Sequence, residues 1–208
     1  MVSSQSSAIP HESQFAHPSS LTGRLLLRSM NIAHARLHRW GLKAAGIQPS
    51  DKVLDVGCGG GKALARILAQ TRREVAGVDP SPEAVETTRR LNRSAIASGR
   101  LRVLEGSVDH LPFRNGFFNV VTAFETTYFW PDLQAGLIEI RRVLSPGGRL
   151  VITNEVADRE AAGRWAERLD MNVPDGRSLA ALAREAGFLT VDISIHPRHG
   201  WLRLLTTR

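Results

Sequence analysis

Glycines 57, 59, 60 and 61 interrupt a chain that is otherwise ordinary around them, in the stretch Val53-Leu54-Asp55-Val56-Gly57-Cys58-Gly59-Gly60-Gly61-Lys62. A hydrophobic run enters a glycine-rich turn, and helical spacing follows. Such a turn lets a ligand approach the backbone closely because no Cβ intrudes. It sits where open α/β sheets bind ligands, at the carboxyl end of a strand. A phosphate-binding P-loop is excluded: Val56 stands at its first glycine position and Ala63 where its metal-binding hydroxyl belongs. A dinucleotide loop, G-x-G-x-x-G, finds Gly57 and Gly59 but Lys62 at the third glycine. The next apolar run, Glu74 to Asp79, ends in an acid, with Pro80 after it. An acid at a strand tip can accept both hydroxyls of a ribose, which points to a nucleoside ligand. Asp79 would serve equally as the acid at the start of a helix opening at Pro80-Ser81-Pro82.

The motif as it stands is D-x-G-x-G-x-G, running from Asp55 to Gly61. In this it resembles the class I, Rossmann-like S-adenosylmethionine-dependent methyltransferases, of the small-molecule kind called type 11. Two further segments carry the likeness. Glu105-Gly106-Ser107-Val108-Asp109-His110-Leu111-Pro112-Phe113 resembles that family's G-D-A-x-x-L-P-F, and Leu144-Ser145-Pro146-Gly147-Gly148 its L-x-P-G-G turn. The resemblance covers about residues 50 to 155. Weaker similarity lies in Met30 to His34, in Trp40-Gly41-Leu42, and from Ala186-Gly187-Phe188 to Gly200-Trp201-Leu202. It implies S-adenosylmethionine as cofactor. Asp55, Gly57, Cys58, Gly59 and Gly61 would lie under its amino-acid end and ribose, with Asp55 near the ammonium. Asp79 and Pro80 would lie at the ribose, Ser107 and Val108 at the adenine, and Phe124 beside the cofactor. Ser107 stands where the family carries an acid, so either Ser107 and the Val108 backbone hold the adenine or Asp109 reaches in.

Methyl transfer from a sulfonium is an in-line displacement, dominated by alignment and desolvation of the reactants. A base is needed only for an acceptor such as a hydroxyl or an acidic carbon. The acceptor-side segment is Ala123-Phe124-Glu125-Thr126-Thr127-Tyr128-Phe129-Trp130-Pro131-Asp132. Its aromatics suit a wall around an apolar acceptor or the sulfonium, although Phe129 and Trp130 suit a core equally well. Glu125 and Tyr128 are the catalytic candidates. His34 joins them from an N-terminal helix that would cap the mouth, with His38 four residues on, on the same face. Two histidines alone are a poor metal site and the sequence offers no evident third ligand, so no metal is expected. Glu155 and His110 are weaker candidates. The expected reaction is methyl transfer to a small-molecule acceptor. Alternatives are a nicotinamide-dependent oxidoreductase, a non-catalytic binding protein on the same fold, and a nucleic-acid methyltransferase. The last lacks an Asn-Pro-Pro-Tyr type segment.

The elements that would hold these groups alternate. Strands are expected at KVLDV, EVAGVD, LRVLEG, FFNVVTAF and RLVITNE, with helices at GKALARILAQ, PEAVETTRRLNRSAIA and DLQAGLIEIRRVL between them. SPGG is read as a turn before the fifth strand. A helical region interrupted near Pro174 follows from Asp158 to about Ala186. VDISIH and WLRLLTT close the chain, joined by too few residues for a parallel crossover and therefore antiparallel. This predicts a doubly wound α/β fold whose seven-stranded sheet is mostly parallel with the last strand antiparallel. Residues 1–20 read as a disordered tail and 21–208 as the methyltransferase domain, with 21–48 its N-terminal helical cap (Leu25, Ile32, Leu37 and Trp40 its apolar residues) and 49–208 its core. The 208 residues are 42% hydrophobic and 23% charged, as in a soluble globular protein. There is no apolar run long enough for a bilayer and no secretory leader, so a cytoplasmic location and no membrane partner are expected. The net charge of +7 is nearly all arginine, since lysine occurs only at 43, 52 and 62. The arginines are scattered, which argues against a nucleic-acid partner. The oligomer expected is a monomer or homodimer.

Overall fold

The computed structural model describes residues 34–163 and 172–208. The expected tail over 1–20, the helix start with Leu25 and Ile32, Met30 to Ala33, and residues 164–171 within the Asp158–Ala186 region lie outside the described residues.

Seven strands form one sheet: β1 (Val53–Val56), β2 (Val75–Asp79), β3 (Leu101–Glu105), β4 (Phe118–Phe124), β5 (Leu144–Asn154), β6 (Thr190–Ile195) and β7 (Leu202–Thr207). Their spatial order is β3-β2-β1-β4-β5-β7-β6. All neighbours are parallel except β7, which runs antiparallel to both β5 and β6. This is the doubly wound, mostly parallel sheet that the alternating pattern predicts. The central strands β1 and β2 are buried at every position, as strands covered on both faces must be. At the outer edge β6 is exposed or half-buried throughout.

Side-chain alternation along each strand builds two cores. Val53, Val75, Val120 and Val151 share one face with Leu37, Leu64, Ile67 and Val85. These come from α1 (Ala35–Ala45), α2 (Lys62–Leu68) and α3 (Pro82–Leu91). On the other face Leu54, Ala76, Val121 and Ile152 meet Leu137, Ile140 and Leu179, from α5 (Leu133–Val143) and α7 (Gly176–Glu185). Two short helices, α4 (Arg93–Ala97) and α6 (Arg159–Ala162), and a 3₁₀ turn at Thr127–Phe129 lie in the connections. A fully buried leucine or isoleucine stabilises by about 1.5–3 kcal/mol, so each face anchors its helices strongly.

Helix α1 crosses β4 and β5 closely. A Cβ on Gly41 would lie 2.6 Å from Phe124 Cε1, so a side chain there would push the helix off the sheet. Its last turn is capped by Gly46 in the left-handed conformation. Arg149 of β5 donates to the Ala45 carbonyl at 3.0 Å and to Asp51 at 2.9 Å, tying that end down.

Two expectations need correction. The run PEAVETTRRLNRSAIA is two helices, not one: it breaks at Asn92. The Asn92 side-chain amide donates to Gly61 O and Thr88 O, so a polar residue at the break ties α3 to the glycine turn. SPGG is not a turn before β5 but a bulge inside it. The register with β4 moves from Phe118↔Leu144 to Val120↔Arg149, so the extra residues lie on β5.

Candidate active site

The carboxyl ends of β1, β2 and β4 are level, with Val56 in register with both Val78 and Ala123. The turns leaving them therefore open on one crevice. Gly57, Gly59 and Gly61 all adopt positive φ, at 68°, 51° and 78°, a region that costs any other residue about 1–2 kcal/mol. A Cβ at Gly57 would fall 2.0 Å from Thr126 Oγ1, whereas one at Gly59 would meet nothing within 4 Å. Gly59 is the glycine whose missing side chain leaves open room. The turn is clamped from behind. The Gly57 and Cys58 N–H groups both donate to Val78 O, at 2.8 and 3.1 Å. Thr88 Oγ1 donates to Gly59 O at 2.7 Å.

Asp79 ends β2 and joins turn, strand and helix. One carboxylate oxygen accepts from the Gly59 N–H at 2.8 Å and the other from the Ser81 N–H at 3.0 Å. Ser81 caps α3, accepting from the Ala84 N–H, so Asp79 braces the residue that opens that helix. Pro80 is exposed beside it. Asp55 is 1% exposed and accepts from Thr122 Oγ1 at 2.6 Å. Burial pushes its carboxyl up to about 7; the Thr122 bond opposes this and the charge of Asp79 adds to it. The Cys58 thiol is buried, against the face of β2 where a Cβ on Gly77 would strike it. Burial pushes that thiol well up. Only the Cys58 backbone belongs to the turn.

The loop after β3 reaches the same crevice. The Gly106 N–H donates to Asp79 O. Ser107 is half-buried, Val108 is buried, and Asp109 and His110 are exposed. The loop is fastened from α5 in a way the sequence did not reveal. Arg142 donates to Leu111 O at 2.9 Å and Phe113 O at 2.7 Å and pairs with Glu139 at 2.7 Å.

At the tip of β4, Glu125 has φ 58°, the one positive value outside glycine among the described residues. Its N–H donates to Thr153 O on β5. Its Oε1 is shut away from solvent without a hydrogen-bond partner. Burial first, then the charge of Glu155, push the Glu125 carboxyl well above the usual carboxylate range, with a Glu155 N–H bond opposing them. Glu155 pairs with His34 at 3.4 Å, which holds its carboxyl below that range against a burial penalty. One ligand atom each of His34, Glu125 and Glu155 lie within 4.8 Å of one another.

The other acceptor-side candidates sit differently. The Tyr128 hydroxyl accepts from the Val156 N–H at 3.2 Å, and burial, then Glu125, push the phenol up. Phe124 is buried under α1, with its ring 4.9 Å from His38. His38 is itself buried; burial, then Arg66 and His34, lower its pKa to about 3, so it is neutral. Trp130 is core, with Nε1 donating to Thr126 Oγ1 at 3.3 Å; Phe129 is half-buried. The structure thus gathers His34, Glu125 and Glu155, and leaves His38, Tyr128 and Trp130 as supports. Thr88, Asn92, Thr122 and Thr126 were missed, although Thr88 and Asn92 form a polar i,i+4 pair on an otherwise apolar helix face. That pair is legible as a sign of something polar to hold.

The model of a family described as methyltransferase domain matches residues 54–152. The chain is 30% identical over 149 residues to the O-methyltransferase cnsE of Penicillium expansum, covering 69% of this chain and 54% of that one. It is 31% identical over 159 residues to an O-methyltransferase of Pyrenophora dematioidea, covering 72% and 60%. The chain spans 54 to 65% of the length of the first such curated relatives. Among solved structures, a SAM dependent methyltransferase from Aquifex aeolicus superposes with a TM-score of 0.73 at 17% identity, over 88% of this chain and 97% of that one. No helix among the described residues is long and apolar enough to cross a membrane. A glycine turn braced by an acid-tipped strand, methyltransferase relatives and a shared sheet converge: residues 54–152 match a methyltransferase domain, and the chain is similar to the class I S-adenosylmethionine-dependent methyltransferases.

Proposed function

We propose that this chain binds S-adenosylmethionine over the β1 turn and transfers its methyl group to a small-molecule acceptor, with an oxygen nucleophile as the acceptor class. The observation that carries this is the open room at Gly59, whose N–H is held 2.8 Å from the Asp79 carboxylate. The residues fit the cofactor. A Cβ would fill the room that the cofactor needs, and an acid stands at the strand tip beside it.

The cofactor supplies an electrophilic methyl on a sulfonium. Asp79, whose carboxylate accepts from the Gly59 and Ser81 N–H groups, stands at the strand tip where the ribose hydroxyls would lie. Asp55, poised near neutrality by burial, becomes the ionised partner of the cofactor's ammonium, because an opposite charge nearby favours the carboxylate. Ser107 and the Val108 backbone border the adenine. Phe124 supports the floor from beneath α1. His34, Glu125 and Glu155, at the ends of β4 and β5 and the start of α1, receive the acceptor and its proton. Bound over the β1 turn, the cofactor would give its methyl to the acceptor oxygen, with the electron pair of the broken carbon–sulfur bond left on sulfur. Tyr128, kept protonated, is a wall of this region. The oxygen class is supported by the carboxylates gathered there and by the O-methyltransferase relatives. The reading extends to a cytoplasmic protein, monomer or homodimer, with no nucleic-acid partner, with residues 21–208 as the methyltransferase domain and 21–48 as its cap.

Calorimetric titration with S-adenosylhomocysteine tests it. Saturable binding by the folded chain, weakened about ten-fold or more in Asp79→Ala, is the expected result. A folded chain that releases no binding heat at millimolar ligand overturns it.

A further inference from the structure

We propose that His34, Glu125 and Glu155 hold one divalent transition-metal ion on the acceptor side of the crevice. Three elements distant in sequence deliver these side chains: the start of α1, the tip of β4 and the end of β5. Their ligand atoms lie within 4.8 Å of one another, and His34 Nε2 is 3.4 Å from Glu155 Oε2. Two ligands each about 2.0–2.2 Å from a shared ion stand about 3–4 Å apart, so that pair already has the spacing of co-ligands.

A second observation is independent of the clustering. Glu125 Oε1 is buried and accepts no hydrogen bond. A buried acceptor left unsatisfied costs about 1–3 kcal/mol and calls for a partner. The same carboxyl group lies within 4.8 Å of a Glu155 carboxylate oxygen and a His34 ring nitrogen, and a cation held among the three would give Oε1 its partner. One imidazole with two carboxylates is a donor set for Zn²⁺, Mn²⁺ or Fe²⁺ rather than for the all-oxygen ions. Three protein ligands also leave positions open, as sites that receive a substrate do. Expecting no metal rested on pairing His34 with His38. His38 is turned into the core against Phe124, and the other two ligands come from strands that the sequence does not place next to His34.

The use of the ion rests on the methyl-transfer reading: an acceptor hydroxyl on an open position would ionise more readily. Metal binding itself does not rest on it. The test is titration of metal-stripped full-length chain with Mn²⁺, followed by loss of the electron paramagnetic resonance signal of the free ion, with S-adenosylhomocysteine binding measured on the same samples. One saturable site per chain is expected, weakened about ten-fold or more in Glu125→Gln and in His34→Gln, and unchanged in His199→Gln, an exposed histidine elsewhere. Should Glu125→Gln fail to fold, Glu155→Gln carries the comparison, because its side chain is 55% exposed. No saturable site in the wild type, or equal affinity in wild type and the ligand variants, overturns the proposal. A saturable metal site in a chain that does not bind S-adenosylhomocysteine would uphold the ion and overturn the methyl-transfer reading.

Discussion

Replacing Gly59 by alanine separates the cost of a backbone from the cost of a ligand. Gly59 holds φ at 51°, and a Cβ added there meets no protein atom within 4 Å. The folded chain therefore pays only for the left-handed conformation, about 1–2 kcal/mol. In a chain of this size that is a fall in Tm of about 2–8 °C, at about 2–4 °C per kcal/mol. On the proposed placement the cofactor occupies that open room, so the same methyl group should weaken S-adenosylhomocysteine binding about ten-fold or more, a loss of about 1.4 kcal/mol. Gly99 supplies the control. It too has positive φ, 71°, and open space for a Cβ, but it lies in the turn after α4. Gly99→Ala should lose a similar Tm and keep its affinity. Differential scanning calorimetry and isothermal titration on both variants make the comparison. If Gly59→Ala binds the ligand as wild type does, nothing approaches the backbone there, and the placement of the cofactor over this turn is wrong.

Asp79→Ala removes a charged acceptor that braces Gly59 and Ser81; the lost interaction with a ribose is worth about 1.5–3 kcal/mol, so titration should show affinity falling about ten-fold or more. Asp55 carries a pH signature. Its folded pKa is raised to about 7 from 3.8, so the native state binds more protons than the unfolded one. Stability should fall as pH rises from about 4 to 7, and urea midpoints should show a flatter profile in Asp55→Asn. Arg142→Ala frees the carbonyls of Leu111 and Phe113. The loop carrying Ser107 should loosen, with a stability loss of about 1–3 kcal/mol in urea denaturation and faster amide exchange at Val108.

Much of this molecule is written locally. Apolar runs of a few residues, separated by helical spacing, suffice for parallel strands with crossovers, because a strand buried on both faces must be apolar throughout. The D-x-G-x-G-x-G turn and Asp79 were legible for a similar reason: a positive-φ turn and an acid at a strand tip are properties of a few consecutive residues. The helix break at Asn92 and the bulge in β5 were not, since both depend on what a side chain or a neighbouring strand meets across the fold.

The sequence by itself determined the alternation of elements, the antiparallel closing pair and the glycine turn with its acid. Only tertiary structure decided that β7 inserts between β5 and β6, that Arg142 fastens a loop 29 residues earlier at Phe113, and that His34 meets Glu125 and Glu155 rather than sharing a site with His38. Local patterns reflect the backbone's own preferences over one turn or one strand. Which distant side chains end up within a few ångströms depends on strand order and register, and those are settled by burying two faces of the sheet at once.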